Sequence, residues 1–83
     1  MGKVAINIKI MPQSSETDVE KLAEKIKEKV EVKDLKIEPI AFGLKAIRLL
    51  VIGEDSEGSE GVENAIRSIE GVGEVEIESV TLL

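Results

Sequence analysis

Residues 3–11, KVAINIKIM, alternate without a break: Val4, Ile6, Ile8 and Ile10 share one parity, and Ala5, Asn7, Lys9 and Met11 the other. A period of two sends one set toward a core and the other toward water, so the chain opens on a half-buried β-strand. At 83 residues there is room for one domain, spanning residues 1–83, and one core. A core of this size leaves only about 3–5 kcal/mol of net stability.

The next signals are helical. Pro12 ends the strand, and Ser15 is a suitable N-cap with Asp18 three residues later, near the positive end of the helix that follows. Val19, Leu22, Ala23, Ile26 and Val30 recur at helical spacing, while Lys21, Glu24, Lys25 and Glu28 take the wet side. Two β-rich runs follow, Leu35 to Phe42 and Leu44 to Ile52, separated by Gly43. In the first run Leu35 and Ile37 share one parity and Ile40 and Phe42 the other. The phase change at Glu38-Pro39 predicts a bulge there or an edge strand, because proline cannot donate to a ladder. In the second run Ile47, Leu49 and Val51 form a core face, and Leu44, Ala46, Arg48, Leu50 and Ile52 a mixed one.

GEDSEGSEG, Gly53 to Gly61, reads as a loop in which Ser56 or Ser59 caps a second helix. That helix carries Val62, Ala65, Ile66 and Ile69 and ends at Gly71 and Gly73. Val75 and Ile77 open a last strand, and the change of parity at Val80 and Leu82 predicts a bulge near Ser79. The order β-α-β-β-α-β folds most simply as a split βαβ unit, an α+β, ferredoxin-like sandwich. Its four-stranded antiparallel sheet would carry two helices on one face.

Composition narrows the function. There is no Cys, His, Trp or Tyr, and Phe42 is the single aromatic residue. Without Cys, packing and surface ionics must stabilise the domain, which fits a reducing, cytoplasmic setting. No apolar run reaches the ~20 residues of a spanning helix and no signal peptide opens the chain, so no membrane partner is expected. A surface rich in Lys and Glu, with one Gln and two Asn, is common in proteins from hot environments.

Charge is uneven within the net −6: up to Gly53 there are ten Lys or Arg against eight Asp or Glu, and from Glu54 onward one Arg against nine acids. Such a chain is not expected to bind nucleic acid directly, since phosphates need a basic surface. The acidic half is either a solvated face or a steering surface for a basic partner. Nor is covalent catalysis expected, because no Ser stands beside a suitable base. Glu54, Asp55 and Glu57 lack the spacing of a dedicated Ca²⁺ loop. A small-molecule-binding regulatory domain stays open, because this fold hosts many functions.

Phe42 before Gly43 admits two readings, a ring tucked under the sheet end or an anchor for another protein. The run Glu38-Pro39-Ile40-Ala41-Phe42-Gly43-Leu44-Lys45-Ala46-Ile47 resembles the archaeal translation elongation factor 1-beta family. Further matches are Ile8-Lys9-Ile10-Met11-Pro12, and Gly53-Glu54-Asp55 leading to Ile69-Glu70-Gly71-Val72, so the likeness covers nearly the whole chain.

The resemblance implies a guanine nucleotide exchange factor that binds elongation factor 1-alpha, loosens its Mg²⁺ and phosphate contacts and speeds GDP release. No bond chemistry, cofactor or metal of its own is implied, and the free chain is expected to be a monomer. Phe42 matches the aromatic that the family presents to the GTPase, Gly43 the turn that presents it, and Lys45 a lysine beside that turn. Eukaryotic relatives end in a lysine thought to act near the Mg²⁺ and phosphate site, whereas this chain ends Ser79-Val80-Thr81-Leu82-Leu83. Either the mechanism here differs, or the terminal carboxylate and Leu83 replace that lysine by geometry. On the second reading Leu83 joins the partner-binding set.

If the acidic half steers encounter, neutralising Glu54, Asp55 and Glu57 lowers the association rate with the GTPase and flattens its salt dependence. Stopped-flow association at several ionic strengths measures this. An unchanged rate at low salt removes the steering role.

Overall fold

Four antiparallel strands and two helices make up the computed structural model, which describes residues 2–14, 16–40, 43–54 and 60–83. In chain order they are β1 (Lys3–Pro12), α1 (Val19–Lys29), β2 (Val32–Pro39), β3 (Lys45–Glu54), α2 (Glu60–Arg67) and β4 (Val72–Leu82). The strands lie in the order β2-β3-β1-β4, with every neighbouring pair antiparallel. This is the ferredoxin-like β-α-β-β-α-β arrangement that the order of apolar patterns predicts.

The alternation of β1 decides where the core lies. Val4, Ile6, Ile8 and Ile10 are all at most 2% exposed, and they pack with Ile47, Leu49 and Val51 of β3 and Val72 and Val75 of β4. Val19, Leu22, Ala23 and Ile26 of α1 and Ile66 of α2 close the same cluster. Both helices therefore cover one face of the sheet. Ala5, Asn7, Lys9, Arg48 and Leu50 occupy the face opposite.

Local physics corrects several boundaries. The N-cap of α1 is Asp18, whose Oδ1 accepts from the amides of Glu20 and Lys21 at 3.1 and 3.2 Å. Ser15 lies outside the described residues, and the helix begins at Val19. A carboxylate caps better at this position because it also meets the positive end of the helix dipole. Pro12 closes the ladder as the last residue of β1, paired with Val72.

β2 starts at Val32 and ends at Pro39, three residues earlier at each end than the β-rich run suggests. It is an edge strand, as the proline implies. Register runs unbroken through Glu38↔Ala46 and Pro39↔Lys45, so no bulge lies there; the slip falls instead between Val32 and Asp34. The parity change at Ile40 marks the chain leaving the ladder. Ser56 and Ser59 lie outside the described residues; α2 ends at Arg67, and Ile69 is buried in the turn beyond it. In β4 the slip predicted near Ser79 is present, since Asn7 pairs with Ser79 and Ile8 with Ile77, leaving Glu78 as the extra residue.

β4 begins at Val72, before Gly73, because Gly73 is part of a second irregularity between Met11 and Pro12. A Cβ on Gly73 would stand 2.7 Å from the Pro12 carbonyl oxygen and 3.0 Å from Gln13 Cα, so backbone would have to move. Gly61, in the first turn of α2, has nothing within 4 Å. Gly73→Ala is expected to destabilise the fold by about 1–3 kcal/mol. Gly61→Ala should stabilise it by about 0.5 kcal/mol through helix propensity and reduced chain entropy. Denaturant unfolding of the two variants checks the contrast, and equal midpoints would contradict it.

Candidate partner-binding site at the two ends of the sheet

Strand directions sort the expected contact residues to opposite ends. β1 and β2 finish where β3 and β4 begin, so the β1–α1 loop, the β2–β3 turn and the α2–β4 turn meet at one end. The Gln13 amide donates to the Gly71 carbonyl at 3.0 Å, tying the first loop to the last turn. Ser14 and Thr17 brace that loop: the Ser14 amide donates to Thr17 Oγ1 at 3.3 Å and the Thr17 amide to the Ser14 carbonyl at 3.2 Å.

Across from them, the Ile40 amide donates to the Leu44 carbonyl at 2.8 Å and brackets the β2–β3 turn. Gly43 takes φ +74°, and a Cβ there would meet open space, so the glycine is needed for its backbone conformation alone. Phe42 lies outside the described residues. Gly43 and Lys45 line a cleft of about 310 Å³ together with Pro12, Ser14, Thr17, Asp18, Val19 and Glu20. Asp18 and Glu20 already place carboxylates at the helix N-terminus, so the cleft suits a cationic or neutral polar group better than a phosphate.

The chain's end lies at the other pole. The Leu83 amide donates to the Lys3 carbonyl at 2.9 Å, holding the last residue beside the start of β1. Val80, Leu82 and Leu83 are 50%, 69% and 71% exposed, the large apolar side chains left uncovered among the described residues. The ten residues of β3 separate Lys45 from this end. At ~3.3 Å per residue that is roughly 30 Å, within the molecule's 41 Å long axis. Gly43 and Lys45 are thus brought together, and Leu83 stands apart from them.

Residues 5–83 match the family of the EF-1 guanine nucleotide exchange domain. The chain belongs to that family. Relatives named elongation factor 1-beta include one from Methanocorpusculum labreanum, 45% identical over 100% of this chain and 99% of its own. Another, from Archaeoglobus fulgidus, is 46% identical over 100% of both. Among solved structures, the ACT domain from GTP pyrophosphokinase of Chlorobium tepidum superposes with a TM-score of 0.71 at 15% identity, covering 95% of this chain and 90% of that one. That likeness supports the ferredoxin-like fold.

Within this exchange-domain fold, the helix-free face carries a feature that pattern reading passes over. Arg48 Nε donates to Glu38 Oε2 at 2.8 Å and Arg48 Nη1 to Glu78 Oε1 at 2.6 Å, linking β2, β3 and β4 across β1. The Glu38 hydrogen bond and charge, then Glu78, hold the guanidinium above its ordinary pKa. A raised cationic pKa adds stability below the unfolded value, lost only as pH climbs through the higher folded one. The link is therefore constant with respect to Arg48 at neutral pH. Glu38 lies diagonal to Arg48, whose direct partner is Lys36, and Glu78 reaches it from the bulge, so both contacts show only in the register.

At Gly43 the positive φ predicts a graded series. Gly43→Ala should cost about 1–2 kcal/mol of stability and Gly43→Asn less, because asparagine tolerates the left-handed region. Thermal or denaturant unfolding measures both, and an Ala variant as stable as the parent would mean the turn relaxes to another conformation.

Proposed function

We propose that this chain speeds exchange of GDP for GTP on elongation factor 1-alpha, gripping the GTPase with the two ends of one rigid sheet. The observation that carries the reading is the match of residues 5–83 to the EF-1 guanine nucleotide exchange domain. Relatives that share the whole chain length and are named elongation factor 1-beta support it. On this reading Phe42, Gly43 and Lys45 form one contact and Leu83 the other, roughly 30 Å away by strand length.

The energetics require a differential. A factor that bound the GDP-loaded and nucleotide-free GTPase equally well would shift nothing. Each tenfold loss of nucleotide affinity takes about 1.4 kcal/mol of preferential binding to the empty state. Two contacts held at fixed separation supply such a preference when only the nucleotide-free GTPase presents both surfaces at that spacing. The partner's Mg²⁺ and phosphate contacts then loosen because the GTPase is held in the state that lacks them. Leu83, exposed and apolar, contributes to the second contact by shape.

The test is release of labelled GDP from preloaded elongation factor 1-alpha on adding substoichiometric amounts of this chain. Acceleration with turnover is expected. No acceleration, together with a metabolite-dependent rise in thermal stability, would favour a regulatory ligand-binding domain instead.

Phe42→Ala separates anchor from core. As an anchor, its loss leaves stability close to the parent's and weakens binding by about 2–4 kcal/mol. As a core ring, its loss destabilises by about 3–5 kcal/mol and leaves the folded fraction active. The first pair of outcomes is expected, and unfolding and GDP release measured on the same variant decide.

A further inference from the structure

Both outer strands of the sheet offer unpaired backbone, but they are guarded differently. β2 is short and ends in Pro39, and its ladder slips at Lys33, with Asp34 and Lys36 following. Such charges, prolines and bulges block addition of another strand. β4 is the longest strand, at 11 residues. Its first part carries Glu74, Glu76 and the bulged Glu78, whereas Ser79–Leu83 has no charged side chain, proline or further slip.

The ladder fixes which groups face outward. Leu83 donates to Lys3, so that pair is hydrogen-bonded, and pairs alternate along an antiparallel ladder. Thr81, opposite Ala5, therefore turns its N–H and C=O toward β1. Those of Val80 and Leu82, opposite Ile6 and Val4, point away from the sheet.

We infer that the Val80–Leu82 edge of β4 accepts an extended segment of the GTPase as a fifth strand. This deepens the second contact of the exchange-factor reading and rests on it. The side chains prescribe that segment's pattern. Val80 and Leu82 share the helix-side face with their β1 partners Ile6 and Val4, while Glu74 and Glu76, opposite Met11 and Lys9, share the other. A complementary segment sets apolar residues beside Val80 and Leu82 and small polar ones beside Ser79 and Thr81. It carries Lys or Arg in the flank that passes Glu74 and Glu76 beyond the paired stretch. A second copy of this chain would bring the same carboxylates and a further net charge of −6, so a basic partner is the better match.

Proline isolates the backbone contribution. Val80→Pro deletes an outward N–H without removing a β1–β4 hydrogen bond, and Val80→Thr keeps both the N–H and β-branching. GDP release from elongation factor 1-alpha is titrated with each variant, and folding is monitored by denaturant unfolding. Leu82→Pro, at the last strand residue, repeats the test should Val80→Pro fail to fold. The proline variant is expected to need about five- to tenfold more protein for half-maximal acceleration, the worth of one interface hydrogen bond. The threonine variant keeps the amide and gives up only part of the Val80 side-chain contact, so it should lose clearly less than the proline variant.

Equal loss in the proline and threonine variants would place the contact in the side chain and overturn strand addition. Parent-like activity of a folded proline variant would overturn it as well. Sedimentation showing a parent dimer that Val80→Pro disperses would assign the edge to self-association, with the same effect. A parent chain that never accelerates release would instead overturn the exchange reading beneath it.

Discussion

Pairing of β1 on both sides is the constraint from which the rest follows. Ten residues, Lys3–Pro12, hold β3 along one edge and β4 along the other, and every second side chain from Val4 to Ile10 is buried under the helices. A one-residue slip in either ladder would turn that apolar set to the open face, so register is fixed by burial itself. The Gly73 approach to Pro12 adds a second lock, because only a residue without Cβ lets β4 start that close to the end of β1.

The positions of the two candidate contacts are set by this frame. β3 and β4 are both antiparallel to β1, so the β2–β3 turn and the chain's end must fall at opposite poles. Separation between them is a property of strand length, with no hinge in the ladder that joins them. The Glu38–Arg48–Glu78 link ties three strands together on the face without helices. A partner that engages both poles therefore meets a ruler of fixed length, and a state in which its own surfaces match that length is favoured.

Much of this was legible in the residues. The period-two run of β1, the helical spacing from Val19 to Ile26 and the edge character of β2 follow from side-chain type alone. So does the bulge near Ser79, because parity in the last strand changes sign there. What escaped was set by neighbours distant in sequence. Asp18 displaces Ser15 as cap because the chain enters α1 later than the serine pattern suggests. The break of phase after Pro39 is a strand end rather than a bulge, since Ile40 bonds back to Leu44 across the turn. Gly73 reads as a helix terminator until Pro12 is seen against it, and Arg48 reads as one polar residue on a mixed face until the bulge delivers Glu78.

Backbone hydrogen exchange on this chain, free and bound to nucleotide-free elongation factor 1-alpha, addresses the two-ended grip most directly. Slowed exchange is predicted at both poles, at Gly43–Lys45 and at the outward amides of Val80 and Leu82. The β1–β3 ladder between them, protected already, should be unchanged. Protection confined to one pole, or centred on the exposed surfaces of α1 and α2, would contradict the account.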